Sequence, residues 1–147
     1  MAALLVILLI FVSDLCIKDY IEKHKELEKD EEILDGKIII TKYHNKGAFL
    51  NAMEKNRKLL LTVSGIFFGL VVLVLAFLIP QKRKGLLTFV VALIAGGASS
   101  NMYDRIRRGY VVDYFSFSFL KKVVFNISDI FIFIGSIIAS VYAIMKS

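Results

Sequence analysis

Two carboxylic acids stand in a part of the sequence that is otherwise apolar and basic. The segment RGYVVDYFSFSFLKKVVFNISDIF, residues 108–131, contains Asp113 and Asp129 as its only acidic residues. Asp129 lies at the start of a long hydrophobic run, where an ionised carboxylate is costly. If the segment folds back on itself, the two carboxylates meet at the edge of that run.

Such a pair has a definite chemistry. Two carboxylates that face each other in a low-dielectric site do not both ionise easily, so the pair shares a proton. One member then takes a proton from water while the other protonates a carbonyl or a leaving amine, as in an aspartic protease. The spacing alone also fits a structural interpretation, with Asp129 as a helix N-cap and Asp113 in a solvated turn. Both interpretations stay open on the residues alone.

Further polar residues lie inside or beside apolar segments, where ionisable groups mark functional sites by default. Asp14 and Lys18 are four residues apart and share a helix face, which predicts an ion pair with a structural or a substrate-positioning role. Asn101, Asp104 and Arg105 form a polar face at the end of another apolar segment. We expect Arg105 to hold a carboxylate or a backbone carbonyl there.

The elements that must position these residues are four continuous hydrophobic blocks. Of 147 residues 57% are hydrophobic, and the mean hydropathy is +0.69. The blocks do not alternate with polar residues, so they predict membrane helices and argue against a β-barrel or a soluble fold. We expect an all-α membrane protein in which residues 1–147 form one domain. Its four transmembrane helices are predicted at about 1–20, 58–79, 86–104 and 124–145.

The loops between these blocks predict an orientation. The tight basic turn PQKRKG, residues 80–85, favours the cytoplasmic side, which places both termini there and the loops at about 21–57 and 105–123 outside. In the first outer loop, KIIITKYHNKGAF predicts a short strand or hairpin, and so a small extracytoplasmic β-cap on the membrane. The net charge of +6 fits contact with anionic lipid headgroups, and no nucleic-acid motif accompanies it.

Short motifs follow one another in order along this four-helix pattern. They are DLCIK at 14–18, NKGAF at 45–49, GGASSNMYDRIRRGYVVDYFSF at 96–117 and FNISD at 125–129. Over nearly its whole length the chain therefore resembles the lipoprotein signal peptidases, or signal peptidases II, a family of bacterial aspartyl membrane proteases. It departs from the usual residues of that family at Leu15, Leu50, Ser100 and Ser128.

The resemblance implies that Asp113 and Asp129 are the catalytic dyad. It also implies a supporting or substrate-binding role for the polar residues and the glycine of the matching motifs. These are Asp14, Lys18, Asn45, Gly47, Asn101, Asp104, Arg105 and Asn126. No metal or other cofactor is implied.

The implied reaction is cleavage of the signal peptide of prolipoproteins, N-terminal to a cysteine that carries diacylglyceryl. The implied place is the outer face of the bacterial cytoplasmic membrane. Membrane lipids and globomycin-like inhibitors are the other implied partners. Two rival hypotheses are a non-catalytic lipopeptide-binding paralogue, which the departures motivate, and a small transporter or proton relay. The latter is weak because four helices without an inverted repeat do not fit a transporter.

Overall fold

The computed structural model describes residues 1–47, 56–120 and 123–146. Four helices account for most of it, and each overlaps one of the predicted hydrophobic segments. They are α1 (Ala2–His24), α2 (Arg57–Leu78), α3 (Gly85–Arg107) and α4 (Ile127–Lys146). Parts of both predicted outer loops, residues 48–55 and 121–122, lie outside the described residues, as does the departure at Leu50.

Three of the four helices, α2, α3 and α4, are long and apolar enough to cross a membrane; this search covers the described residues only. Helix α1 is equally long, at 23 residues, but Asp14, Lys18 and Asp19 interrupt its second half. The count of four transmembrane helices therefore stays a prediction. Most of the apolar side chains of α2 and α4 face outwards, whereas 61% of the apolar stretch of α3 is buried. Helix α3 is thus the centre of the bundle and packs against the other three.

Glycines allow the close approach of α3 and α4. A β-carbon at Gly97 would lie 2.5 Å from the carbonyl oxygen of Ser128, and one at Gly135 would lie 2.7 Å from Ile94 Cγ1. Both distances are too short for any side chain, so the two helix backbones are nearly in contact. This contact brings the end of α3 beside the first turn of α4.

A small antiparallel sheet packs against α1 and α3 through its third strand. Its order is β1 (Glu31–Ile33), β2 (Ile38–Asn45) and β3 (Val111–Phe117). Leu34, Asp35 and Gly36 take positive φ angles in the turn between β1 and β2. The first two strands lie in the loop where β structure was predicted. The protein is mostly helical, as expected, but the second outer loop also contributes a strand, β3, that was not predicted. Its β-branched and aromatic residues pair with β2.

Strand β3 carries Asp113 into the structure. In the register of the sheet Asp113 lies opposite Tyr43, and Val111 lies opposite Asn45. The next residue, Tyr114, packs with Ile21 of α1 in a small apolar cluster. The strand is therefore held against the bundle on one side and against β2 on the other, which fixes the direction of the Asp113 side chain.

Candidate active site

Asp113 is a buried carboxyl group, with 1% of its surface exposed. Its Oδ2 accepts a hydrogen bond from Asn45 Nδ2 at 2.9 Å, and its Oδ1 accepts one from Asn126 Nδ2 at 2.7 Å. The pKa of Asp113 is raised to about 7, first by burial and next by the charge of Asp129, against the lowering effect of the two amide donors. The alternative of a solvated turn at Asp113 is wrong, since the residue lies on a buried strand.

Asp129 lies in the first turn of α4. Its Oδ1 accepts from Asn101 Nδ2 at 2.8 Å, and its Oδ2 accepts from the backbone N–H of Asn126 at 3.2 Å. In return, the N–H of Asp129 donates to Asn126 Oδ1 at 2.9 Å. This reciprocal pair is a capping box in which Asn126 caps the helix. The alternative in which Asp129 itself is the N-cap is therefore wrong.

The amide groups of Asn101 and Asn126 join the two carboxylates in one network. Asn101 Oδ1 accepts from Lys18 Nζ at 2.9 Å and from Asn126 Nδ2 at 3.2 Å. Because the oxygen of each amide is already occupied by a donor, its NH₂ group must point at a carboxylate. The arrangement thus runs from Asp113 through Asn126 and Asn101 to Asp129, and it brings together the two acids that the sequence singled out.

A second cluster of charges lies directly beside this network. Lys18 Nζ is 2.8 Å from Asp14 Oδ2 and 3.2 Å from Asp104 Oδ2, and all three side chains are fully buried. The predicted Asp14–Lys18 ion pair is confirmed. Asp104 also accepts from the N–H of Val112 at 3.1 Å and pairs with Arg108. The lysine charge is therefore balanced by two carboxylates, one of which also holds the start of β3.

Two further predicted residues, Gly47 and Arg105, lie near the carboxylate network but make different contacts. Gly47 N–H donates to Asn45 Oδ1 at 3.2 Å, which turns the Asn45 amide towards Asp113. Arg105 donates to the backbone carbonyl oxygen of Asn101 at 3.5 Å, and a backbone carbonyl was one of the two partners expected for it. Within the described ranges Arg105 Nε is buried and has no hydrogen-bond partner.

Three residues of the charge cluster were missed as members of the site. Tyr114 donates to Asp14 Oδ1 at 2.9 Å, and Ser100 and Ser128 each donate to Asp14 Oδ2 at 2.6 Å. Their only signal in the sequence was that the two serines depart from the usual motif. In the part of the chain that the structure describes, no group of His, Cys, Asp or Glu is arranged to hold a metal ion.

The fold is that of a membrane enzyme. Two solved structures described as a bacterial membrane enzyme superpose on the chain with TM-scores of 0.83 and 0.81. Each is 21% identical in sequence and covers 99% of this chain, which in turn covers 88% and 94% of the two solved chains. At this identity the likeness concerns the fold alone.

Sequence comparison identifies the family. Residues 6–145 match the model of a family described as Signal peptidase (SPase) II. The lipoprotein signal peptidase of Caldicellulosiruptor bescii is 32% identical over 142 residues, which are 97% of this chain and 89% of that protein. The lipoprotein signal peptidase of Lactobacillus johnsonii is 29% identical over 144 residues, which are 98% of this chain and 92% of that protein. The chain belongs to the signal peptidase II family and is a peptidase with membrane helices, as its motifs suggested.

Proposed function

We propose that this protein is an aspartyl endopeptidase of the bacterial cytoplasmic membrane. Its substrates are prolipoproteins whose cysteine carries diacylglyceryl, and it cuts the signal peptide just N-terminal to that cysteine. The observation that carries the proposal is the pair of carboxyl groups, Asp113 and Asp129, held by amide donors in one buried network. Membership of the signal peptidase II family supports the choice of substrate.

The reaction follows from the shared proton. The pKa of Asp113 is raised to about 7, so near neutral pH the pair can keep one proton between its two carboxyl groups. The ionised member takes a proton from a water molecule, which attacks the carbonyl carbon of the scissile bond. The protonated member then donates its proton to the leaving amine as the bond breaks. No step requires a cofactor.

The asparagines have a separate task in this reaction. Asn45, Asn101 and Asn126 present neutral donors to the dyad, so they hold the carboxylates in place without neutralising them. A lysine at the same positions would lower the proton affinity of the pair and remove its acidic member. Oriented neutral groups therefore suit a dyad that must give and take protons within one turnover.

We propose that the dyad lies at the outer face of the membrane. Asp113 follows α3 and Asp129 begins α4, so both lie at the end of the bundle opposite the basic turn at 80–85. With that turn and both termini in the cytoplasm, α1 crosses the membrane as a fourth helix. The sheet then caps the site from outside, while the lipid chains of the substrate stay in the bilayer against α2, α3 and α4. Globomycin-like inhibitors are expected to occupy the dyad.

The contacts of Ser100 and Ser128 weaken the rival hypothesis of a non-catalytic binding paralogue. Ser100, the departure beside Asn101 that helped to suggest it, is fully buried and its side chain faces Asp14; the same holds for the departure at Ser128. Neither contacts a carboxylate of the dyad through its side chain. The residues that the reaction needs are all present, and the described part of the site favours an enzyme.

The test is cleavage of a lipidated prolipoprotein by the purified protein in detergent. We expect a shift to the mature size on a gel, with the new N-terminus at the lipidated cysteine. The matched control substrate has that cysteine replaced by serine, so it cannot receive the lipid, and it should remain uncut. Binding of the lipidated substrate without cleavage would support the paralogue, and cleavage of the unlipidated control would exclude the proposed specificity.

A further inference from the structure

Ser100 and Ser128 form a buried contact that the proposed reaction does not use. The two hydroxyl groups come from α3 and α4, and both donate to the same atom, Asp14 Oδ2 of α1, at 2.6 Å. All three side chains have no exposed surface. A single carboxylate oxygen therefore connects three helices at one level of the bundle.

Each serine directly precedes a residue of the carboxylate network. Ser100 precedes Asn101, and Ser128 precedes Asp129. The backbones of α3 and α4 are in contact at this level, because a β-carbon at Gly97 would lie 2.5 Å from the carbonyl oxygen of Ser128. A small change in the separation or rotation of the two helices would therefore alter the 2.8 Å hydrogen bond from Asn101 Nδ2 to Asp129 Oδ1.

Lys18 connects the serine contact to the orientation of the Asn101 amide. Its ammonium group donates to Ser100 Oγ at 3.0 Å and to Asn101 Oδ1 at 2.9 Å, and it pairs with Asp14 at 2.8 Å. The donor to Asn101 Oδ1 keeps the NH₂ group of that amide turned towards Asp129. Ser100 thus both accepts from Lys18 and donates to Asp14, so it closes a ring of hydrogen bonds next to the dyad.

We infer that Ser100 and Ser128 are positioning residues for the dyad. Acting through Asp14 and Lys18, their hydroxyl groups hold α3 and α4 at the separation at which Asn101 faces Asp129. The inference rests on the proposed function, since it concerns the geometry of the same reaction. The serines contact neither the substrate nor the reacting atoms, so their loss should change kcat and leave KM unchanged.

The experiment compares Ser100→Ala, Ser128→Ala and the double variant with two matched controls in the same helices. In the controls, Ser99→Ala and Ser140→Ala, the lost hydroxyl group donates only to a backbone carbonyl of its own helix. We expect each single variant to lose about threefold to tenfold in kcat, the double variant to lose more, and both controls to keep wild-type kcat. Thermal unfolding of every variant sets an assay temperature at which all of them are folded.

The possible outcomes separate the inference from the function on which it rests. If the wild type cleaves, Asp129→Asn does not, and the serine variants keep wild-type kcat, the inference is overturned and the function stands. A rise in KM at constant kcat would also overturn it, because the serines would then act on substrate fit. A loss of stability with unchanged kcat would show a structural role alone. Absence of cleavage by the wild type would overturn both.

Discussion

The molecule holds two pairs of aspartates close to each other and gives the two pairs different partners. Asp14 and Asp104 share the ammonium group of Lys18, at 2.8 and 3.2 Å. Asp113 and Asp129 receive neutral amide donors, and in the described ranges neither forms a salt bridge with a lysine or an arginine. The first pair therefore has a cation directly beside it. In the second pair burial and the charge of Asp129 raise the pKa of Asp113 to about 7, which is the range that acid–base chemistry near neutral pH requires.

The difference teaches what separates a structural carboxylate from a reactive one in an apolar protein. Burial alone does not decide it, because members of both pairs are buried. What decides it is whether the partner carries a charge. A cation stabilises the ionised form of a carboxylate, whereas an amide donor orients it and leaves protonation within reach of neutral pH.

The largest effect is expected when Asp113 or Asp129, the pair with neutral amide donors, is replaced. Asp113→Asn or Asp129→Asn keeps the shape of the side chain but can neither take a proton from water nor donate one as a carboxylic acid. Each variant should therefore lose at least about 10³-fold in kcat, and the double variant should be little worse, since the two groups act as a unit. Lipoprotein cleavage measures this, with the exposed Asp30→Asn as the control. Near wild-type turnover in either variant would show that the residue is not catalytic.

The next largest effect is expected when Lys18, the cation shared by Asp14 and Asp104, is replaced. Lys18→Met fills a similar volume but leaves Asp14 without a cation and Asp104 with Arg108 alone, which should lower the free energy of unfolding by about 3–5 kcal/mol. Asn101 also loses a donor to its Oδ1, so kcat should fall, though less than in the dyad variants. Thermal unfolding and cleavage at a permissive temperature measure the two effects. The largely exposed Lys29→Met is the control, and an unchanged melting temperature in Lys18→Met would contradict the comparison.

The pH dependence of stability should report the raised pKa of Asp113. The pKa of Asp113 is raised to about 7, so the folded state binds a proton there more tightly than the unfolded chain does. This contribution favours folding below about pH 4 and is lost as the pH rises towards 7. The stability of Asp113→Asn relative to the wild type should therefore increase between pH 4 and pH 7. Melting curves of both proteins across that range test it, and parallel curves would contradict the raised pKa.

The smallest effect is expected at Tyr114, whose hydroxyl group connects strand β3 to Asp14. Tyr114 donates to Asp14 Oδ1 and accepts from the N–H of Ile127, both at 2.9 Å. Tyr114→Phe removes both hydrogen bonds but keeps the ring, so the free energy of unfolding should fall by about 1–3 kcal/mol. Cleavage should fall only a few-fold, since Lys18 still balances Asp14. The exposed Tyr20→Phe serves as the control, and a loss as large as that of Asp113→Asn would place Tyr114 in the reaction itself.

Much of the architecture could be predicted because it depends on local properties of the chain. The uncharged run from Leu59 to Ile79 is a membrane helix by its length and composition alone, and it appears as α2 with nearly the same bounds. The Asp14–Lys18 pair follows from four-residue spacing on one helix. Strand β3 was not predicted, because VVDYFSF forms a strand only when β2 lies beside it.

The sequence by itself determined which residues carry charge and which stretches belong in lipid, because these are properties of single residues and of short runs. Only the tertiary structure decided which acids lie beside a cation and which receive neutral amide donors. Asp14 meets Ser100, Tyr114 and Ser128 from three other elements, and Asp113 meets Asn45 and Asn126 from both sides. No spacing along the chain encodes such contacts, since they arise when α3, α4 and β3 pack together. The proton affinity of a carboxylate follows from those neighbours, and it is therefore a property of the fold.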